Sequence, residues 1–253
     1  MRKSKPAAMC LTADDLNDLL VSAGYDPETD QFQPAPVGRN FDLAVDLADN
    51  SDLLWFVPRY YCESDESLVQ ILPYCLVTTT EGRIVGYNRA GKSAGEVRLA
   101  GNFSVGFGGH IELGDLELSP IERTWGLIMD AANRELSEEI TITDGRLPHN
   151  IYCVPEVTQF LGVIRSRESA VDRVHVGLVF QAICNTEGMS NLMAATPEPD
   201  QVINPRILTL EEARAEASPE SWTAKILNSS ILDQMITQQQ KMGFYDLPEN
   251  NNG

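Results

Sequence analysis

The feature that most constrains this chain is a glycine-rich turn followed, further along, by a helix-like segment with three carboxylates on one side. The turn is 108–115, GGHIELGD, and the segment is 134–139, RELSEE. In a helix, Glu135, Glu138 and Glu139 stand at i, i+3 and i+4, so their side chains project together from adjacent turns. Like charges at this spacing destabilise an isolated helix, so the arrangement needs a partner, and a hard cation is the natural one.

Each piece alone has a more ordinary explanation. A hexapeptide such as 134–139 is usually a solvated helix face, and the Gly108-Gly109 pair is more often a turn or a bulge than a phosphate cradle. The order of the two pieces, with the strand-like segment 102–107 directly before the turn, is what favours a site.

Together these motifs resemble the signature of the Nudix hydrolase family: Gly, five residues, Glu, seven residues, then Arg-Glu-apolar-any-Glu-Glu-any-Gly-apolar. Gly109 matches the first glycine, Asp115 stands at the first glutamate position, and 134–139 match the core without a gap. The chain departs from the signature at two points. Eighteen residues separate Asp115 from Arg134, an insertion of eleven, and Thr141 occupies the late glycine position.

The resemblance implies an α/β fold, the Nudix α/β/α sandwich with a mixed sheet, plus a small N-terminal segment and C-terminal helices. We predict a helical or irregular segment of unknown role at 1–50, a Nudix hydrolase domain at 51–245 and a disordered tail at 246–253. Strand patterns cover 54–57, 69–80, 83–87, 157–164 and 174–183, and helix patterns cover 12–21, 208–217 and 221–241.

The resemblance also implies the chemistry, which is hydrolysis of the diphosphate linkage of a nucleoside diphosphate joined to another moiety. It implies Mg²⁺, for which Mn²⁺ can substitute, bound by Glu135, Glu138, Glu139 and the carbonyl of Gly109. Glu135 and Arg134 are the expected catalytic residues. We expect substrate contacts from Arg89, Arg98, Gly108 and His110.

The general base has two sources in this family: the glutamate after the arginine, here Glu135, or an acid from a later loop. Glu156, Glu168 and Asp172 are candidates of the second kind, although each is more often only a loop charge. His175 alternates with apolar residues in a strand pattern and could face the substrate, but a core or surface histidine is the commoner outcome.

The insertion at 116–129 has a readable local structure. Ser119 stands at a helix N-cap, Pro120 at N1 and Glu122 at N3, which is a capping box with a well-placed proline. Two outcomes are open: one helix from near Pro120 towards the carboxylates, or a separate surface helix with a second start near Asp130. Its Trp125 would line the substrate cleft or pack against a partner.

Composition narrows the class of protein. A net charge of −18 disfavours broad binding to nucleic acid or an anionic membrane, so we expect a nucleotide-type small-molecule substrate and no membrane, and a homodimer is allowed. The five cysteines are widely spaced without a Cys-x-x-Cys pair. They predict neither a zinc knuckle nor a disulfide framework, and a reducing cytoplasm suits them best. The apolar patch 7–11 is too short for a secretion signal or a membrane span.

Two other classes of protein remain open. One is a non-catalytic Nudix-fold sensor that binds a nucleotide, against which the intact carboxylate set counts. The other is a structural Ca²⁺ site on the acidic helix, disfavoured because the Asp/Asn-rich loop of such sites is missing.

Overall fold

The computed structural model describes residues 6–36, 42–90, 101–117, 124–145, 152–187, 189, 191–219 and 221–243. Its strands are β1 Ala7–Thr12, β2 Phe32–Pro34, β3 Trp55–Pro58, β4 Leu68–Thr79, β5 Ile84–Arg89, β6 Phe103–Ser104, β7 Gly106–Phe107, β8 Thr141–Asp144, β9 Tyr152–Cys153, β10 Glu156–Ile164, β11 His175–Cys184, β12 Leu192–Ala195 and β13 Val202–Leu208. Its helices are α1 Ala13–Ser22, α2 Asp42–Asp49, α3 Arg59–Cys62, α4 Thr124–Glu139, α5 Ala170–Arg173, α6 Leu210–Glu216, α7 Trp222–Leu227 and α8 Ser230–Gly243.

Strand β4 runs through the main sheet and shows how the layers form. Its side chains alternate in direction, as a strand requires. Val69 and Ile71 therefore enter one buried cluster, while Tyr74 and Leu76 enter another. Helices α1, α2 and α4 supply the first cluster, and α6, α7 and α8 supply the second. Helices thus cover both faces of the sheet, and the predicted α/β/α sandwich is confirmed.

The main sheet is mixed. Its strand order is β13-β5-β4-β11-β10-β2, and β4 and β11 run parallel while the other pairs are antiparallel. Strand β1 pairs with both β3 and β4, and the short strands β6 and β7 pair with β5 and β4. A smaller sheet has the order β12-β8-β9. The predicted hairpin around Glu81 and Gly82 is present, because Thr78 of β4 pairs with Ile84 of β5.

The first helix forms where its sequence predicts. Thr12 caps α1, since its hydroxyl accepts a hydrogen bond from the Asp15 amide at 3.1 Å. Gly24 follows the helix with a φ of +88°, a conformation that glycine adopts without steric cost. Leu16, Leu19 and other apolar residues of the buried face then pack into the first cluster.

The sequence pattern indicated a helical or irregular N-terminal segment, but the structure also has two strands there. Strand β1 lies within the main sheet, with Cys10 opposite both Trp55 and Gln70. Strand β2 pairs with β10, with Gln33 opposite Val163. Both strands were missed because β1 lies in a short apolar patch and β2 in a polar, proline-containing stretch.

The C-terminal part also differs from the pattern. Residues 202–208 form β13, which pairs with β5, so the helix expected to begin at 208 begins later, at Leu210. The single helix expected over 221–241 is divided into α7 and α8. The division lies at Ser229, whose hydroxyl accepts a hydrogen bond from the Ile231 amide at 3.4 Å.

Of the helices in the described ranges, none has the length and apolar character needed to cross a membrane. The tail 246–253 lies outside the described residues.

One disulfide departs from the cysteine interpretation. Cys153 of β9 and Cys184 at the end of β11 are joined by a disulfide, with their Cα atoms 5.9 Å apart and a sequence separation of 31. Sequence spacing could not indicate this pairing, because the sheets bring the two ends together. Cys10, Cys62 and Cys75 are free and buried.

Candidate functional site

Helix α4 carries the predicted carboxylates and extends well before them. It runs unbroken from Thr124 to Glu139, through Gly126 and Asp130. A second helix start near Asp130 is therefore excluded, which leaves the alternative of one continuous helix. Its beginning relative to Pro120 lies outside the described residues.

Asp115 and Arg134 meet across the insertion. Arg134 donates from Nε to Asp115 Oδ1 at 2.7 Å and from Nη2 to Asp115 Oδ2 at 3.1 Å. Asp115 is 2% exposed, and its Oδ2 also accepts from the Glu112 amide at 2.8 Å. Arg134 further donates to the carbonyl of His110 at 3.1 Å. This bidentate ion pair fixes the glycine turn to α4 despite the eleven extra residues.

Glu139 is bound to the glycine turn directly. Its Oε2 accepts a hydrogen bond from the Gly108 amide at 2.8 Å. Gly108 has a φ of +142°, and a Cβ there would lie 2.1 Å from the carbonyl oxygen of Pro73. Only glycine fits this position, because the backbone that a side chain would strike cannot rotate away.

Glu135 lies against the next residue of the same turn. A Cβ on Gly109 would be 2.6 Å from Glu135 Oε1, so the missing side chain is what gives the carboxylate its space. Oε1 also accepts from Arg134 Nη1 at 2.9 Å. The two glycines thus hold two carboxylates of α4 against a backbone turn.

Both of these carboxyls bind protons more tightly than ordinary glutamates. Burial raises the pKa of Glu139 to about 8, and the charge of Glu135 raises it further, against the opposing Gly108 amide and Arg89 guanidinium. Burial raises the pKa of Glu135 to about 7, although Arg134 opposes the shift. Two half-buried like charges side by side favour either a shared proton or a bound cation.

Glu138 is placed differently from its two neighbours. Its side chain is 47% exposed, and its Oε2 lies 3.3 Å from Arg134 Nη1. Among the residues that the structure describes, no group of three or more His, Cys, Asp and Glu is arranged to hold a metal ion. The donors still suit a hard cation, because Glu135 and Glu139 are half-buried oxygen ligands whose mutual repulsion a cation would relieve. Glu138 would have to turn from Arg134 to join them.

The structure places only some of the residues expected to contact the substrate beside the carboxylates. Arg89 is half-buried at the end of β5, and its charge acts on Glu139, so it lies beside the carboxylates. The Gly108 amide is already engaged by Glu139. His110 turns to His175 instead, with 3.4 Å between their Nε2 atoms. Arg98 lies outside the described residues.

Of the later-loop acids expected as bases, two have other partners and the third is exposed. Glu168 forms an ion pair with Lys225 at 3.0 Å, and Asp172 accepts from Ser169 at 2.6 Å. Glu156 is exposed at the start of β10. Glu198, which sequence analysis missed, lies close enough to raise the pKa of Glu139 by its charge. It stands in the loop between β12 and β13, and nothing in so acidic a chain distinguished it.

Trp125 packs against two phenylalanine rings of the main sheet. Its ring lies 5.2 Å from that of Phe160, edge to face, and 5.6 Å from that of Phe180. It is half-buried at the margin of the first core cluster. This part of the insertion therefore packs α4 onto the sheet.

Comparison with known proteins gives the fold. No protein-family model matches the chain, and no curated protein matches it. Among solved structures, Tm1382, provisionally described as a Nudix hydrolase, superposes with a TM-score of 0.61 at 20% identity, over 90% of this chain and 99% of that one.

Two further structures are a MutT Nudix hydrolase from Burkholderia pseudomallei and a MutT protein from Methanosarcina mazei Go1. Their identities are 18% and 14%, they cover 63% and 65% of this chain and 99% and 93% of their own, and both TM-scores are 0.37. Scores this low do not establish a shared fold, so the comparison rests on Tm1382. The chain has the Nudix α/β fold.

Proposed function

We propose that this protein is a Mg²⁺-dependent hydrolase that cleaves the diphosphate linkage of a nucleoside diphosphate joined to another moiety. The observation that carries the proposal is the contact of two half-buried carboxylates, Glu135 and Glu139, with the Gly108-Gly109 turn. The Asp115–Arg134 pair supports it, since it holds the turn and the helix in one arrangement.

In this proposal Glu135, Glu138, Glu139 and the Gly109 carbonyl hold Mg²⁺, or Mn²⁺ in its place. The ion would neutralise the phosphate oxygens that otherwise repel an attacking water. Its binding would also release Glu138 from Arg134, because a divalent cation competes for that carboxylate.

The chain's own groups would then position the reactants. Arg89, beside Glu139, would bind a phosphate oxygen of the substrate, as would Arg98. Glu135 would accept the proton of the water, because its carboxylate is held at the glycine turn beside the proposed metal ligands. Arg134 would keep Glu135 in place through its bond to Oε1. Glu198 is a second candidate base, because it lies near Glu139.

A nucleotide panel tests the proposal. The full chain is incubated with Mg²⁺ and nucleoside triphosphates, sugar nucleotides, dinucleoside polyphosphates and nicotinamide dinucleotides, and released nucleoside mono- and diphosphates are measured. We expect Glu138→Gln and Glu139→Gln to keep the fold and to lower kcat by about two powers of ten or more. Glu187→Gln, at an exposed glutamate, is the matched control and should leave kcat unchanged.

The panel also separates the enzyme from the alternative, a nucleotide-binding sensor. Tight binding of a nucleotide without turnover would identify the sensor and overturn the hydrolase. Wild-type rates in both glutamine variants would instead exclude the carboxylates as the reaction centre.

A further inference from the structure

A second group of chemically active side chains, separate from the carboxylates, contains two histidines. His110 follows Gly109 in the chain, and His175 begins β11. Their Nε2 atoms are 3.4 Å apart, and the rings meet edge to face with centroids 5.5 Å apart. The amide nitrogen of Gln70, in the neighbouring strand β4, lies 3.0 Å from His175 Nε2.

The protons of this group can be assigned from its contacts. His175 Nδ1 lies 2.6 Å from the carbonyl oxygen of Val171. A carbonyl only accepts, so Nδ1 carries the proton and donates it. Burial lowers the pKa of His175, so the ring is neutral at pH 7 and Nε2 keeps its lone pair. Both Gln70 and His110 face that one lone pair.

Hydrogen bonding alone leaves Gln70 unsatisfied. The Gln70 amide can donate a hydrogen bond to His175 Nε2 at 3.0 Å. The 3.4 Å between the Nε2 atoms of the two histidines is longer than a good hydrogen bond. Gln70 is fully buried, and its Oε1 has no hydrogen-bond partner. Such an orphaned buried oxygen destabilises the folded state unless it finds a partner. Rotating the amide by half a turn exchanges its nitrogen and oxygen, and lone pairs then converge from His175 and Gln70.

We propose that His110 Nε2, His175 Nε2 and Gln70 Oε1 bind a transition-metal ion of the Zn²⁺, Co²⁺ and Ni²⁺ class. Bonds of about 2.1 Å at a tetrahedral angle place two nitrogen ligands about 3.4 Å apart, which is the separation found here. The Val171 carbonyl fixes the tautomer of His175, as the outer partner of a metal-bound imidazole does.

This site differs in chemistry from the carboxylate site and does not depend on the proposed hydrolysis. Imidazole nitrogen suits borderline transition metals, whereas Mg²⁺ prefers carboxylate and carbonyl oxygen. The charge of Arg59 acts against a cation near His175, and the charges of Asp172 and Glu63 offset it. His110 is only half-buried, so an ion can enter from its side.

Cobalt supplies the test, because Co²⁺ bound by imidazole absorbs visible light. The full chain is titrated with Co²⁺ in excess Mg²⁺, which occupies oxygen sites, and Zn²⁺ is then added as a competitor. We expect one equivalent of Co²⁺ to bind with a visible band, which Zn²⁺ abolishes. The same titration is repeated with variants whose fold is checked by circular dichroism.

The variants separate the histidine site from other sites. His110→Ala and His175→Ala should weaken Co²⁺ binding more than tenfold, and Gln70→Leu by about tenfold. His149→Ala, which changes the remaining histidine of the chain, and Glu139→Gln should keep the band.

Three results would overturn the proposal: no band in the parent protein, an unchanged band in His110→Ala, or a band lost in Glu139→Gln. The half-buried His110 keeps the test valid if the buried His175 variant fails to fold.

Discussion

At the scale of single residues, the Asp115–Arg134 pair holds the two halves of the site together. Asp115→Asn removes the charge and turns an amide towards the guanidinium. We expect a loss of about 2–3 kcal/mol in the free energy of unfolding, somewhat below the cost at a fully buried pair, because Arg134 stays a quarter exposed. Urea unfolding measures the loss. The exposed pair of Glu66 with Arg173 is the control, and Glu66→Gln should cost under about 1 kcal/mol.

The carboxyl of Glu139 predicts a pH dependence of stability. Its pKa is about 8 in the folded protein and near 4.5 in an ordinary glutamate, so the folded state holds the proton more tightly. Stability is therefore highest below about pH 4.5 for this group and falls as the pH rises to about 8. Melting curves in a chelator should show this fall, and Glu139→Gln should flatten it. An equally steep fall in that variant, or a flattening in Glu187→Gln, would contradict the assignment.

At the scale of elements, the glycine turn sets the position of the carboxylates. In Gly109→Ala the new Cβ would lie 2.6 Å from Glu135 Oε1, so the carboxylate must move. We expect kcat on a hydrolysed substrate to fall about tenfold to a hundredfold, with little loss of stability, because the group that moves is the end of a flexible side chain. Gly114→Ala is the matched control, since nothing lies within 4 Å of its added Cβ. Equal rates in both variants would remove Glu135 from the reaction.

Helix α4 is held on the sheet by Trp125, which contacts Phe160 and Phe180. Trp125→Ala should therefore lower the free energy of unfolding by about 3 kcal/mol, chiefly through the cavity that it leaves. The same substitution at Trp55, which is 48% exposed, should cost much less. Denaturant melts of both variants decide the matter. A stable Trp125 variant with altered KM would instead place the residue in the substrate cleft.

At the scale of the whole molecule, the proposed metal binding would be linked to folding. A cation that binds only the folded chain stabilises it by about 2.7 kcal/mol at a hundred times its dissociation constant. Thermal melts in Mg²⁺ or Mn²⁺ should show this gain, and it should shrink in Glu139→Gln because a ligand is lost. Melting temperatures that respond to neither ion would contradict metal binding by the carboxylates.

The sequence by itself determined the parts of this protein that depend on neighbours along the chain. The i, i+3, i+4 spacing put Glu135, Glu138 and Glu139 on one side of a helix, and Thr12 fixed the start of α1. The hairpin at Glu81 and the strands around it followed from residue pattern and turn chemistry in the same way. Such features have local causes, so a short window of sequence contains them.

Only the tertiary structure decided which distant residues meet. Asp115 reaches Arg134 across an insertion, Glu198 comes near Glu139, and His110 of the loop after β7 faces His175 of β11. The pairing of β1 and β2 with the main sheet is of the same kind. Sheet register and the burial it creates bring these groups together. Strand pairing and burial join segments that are far apart in the chain, so a short window of sequence does not contain the information that fixes them.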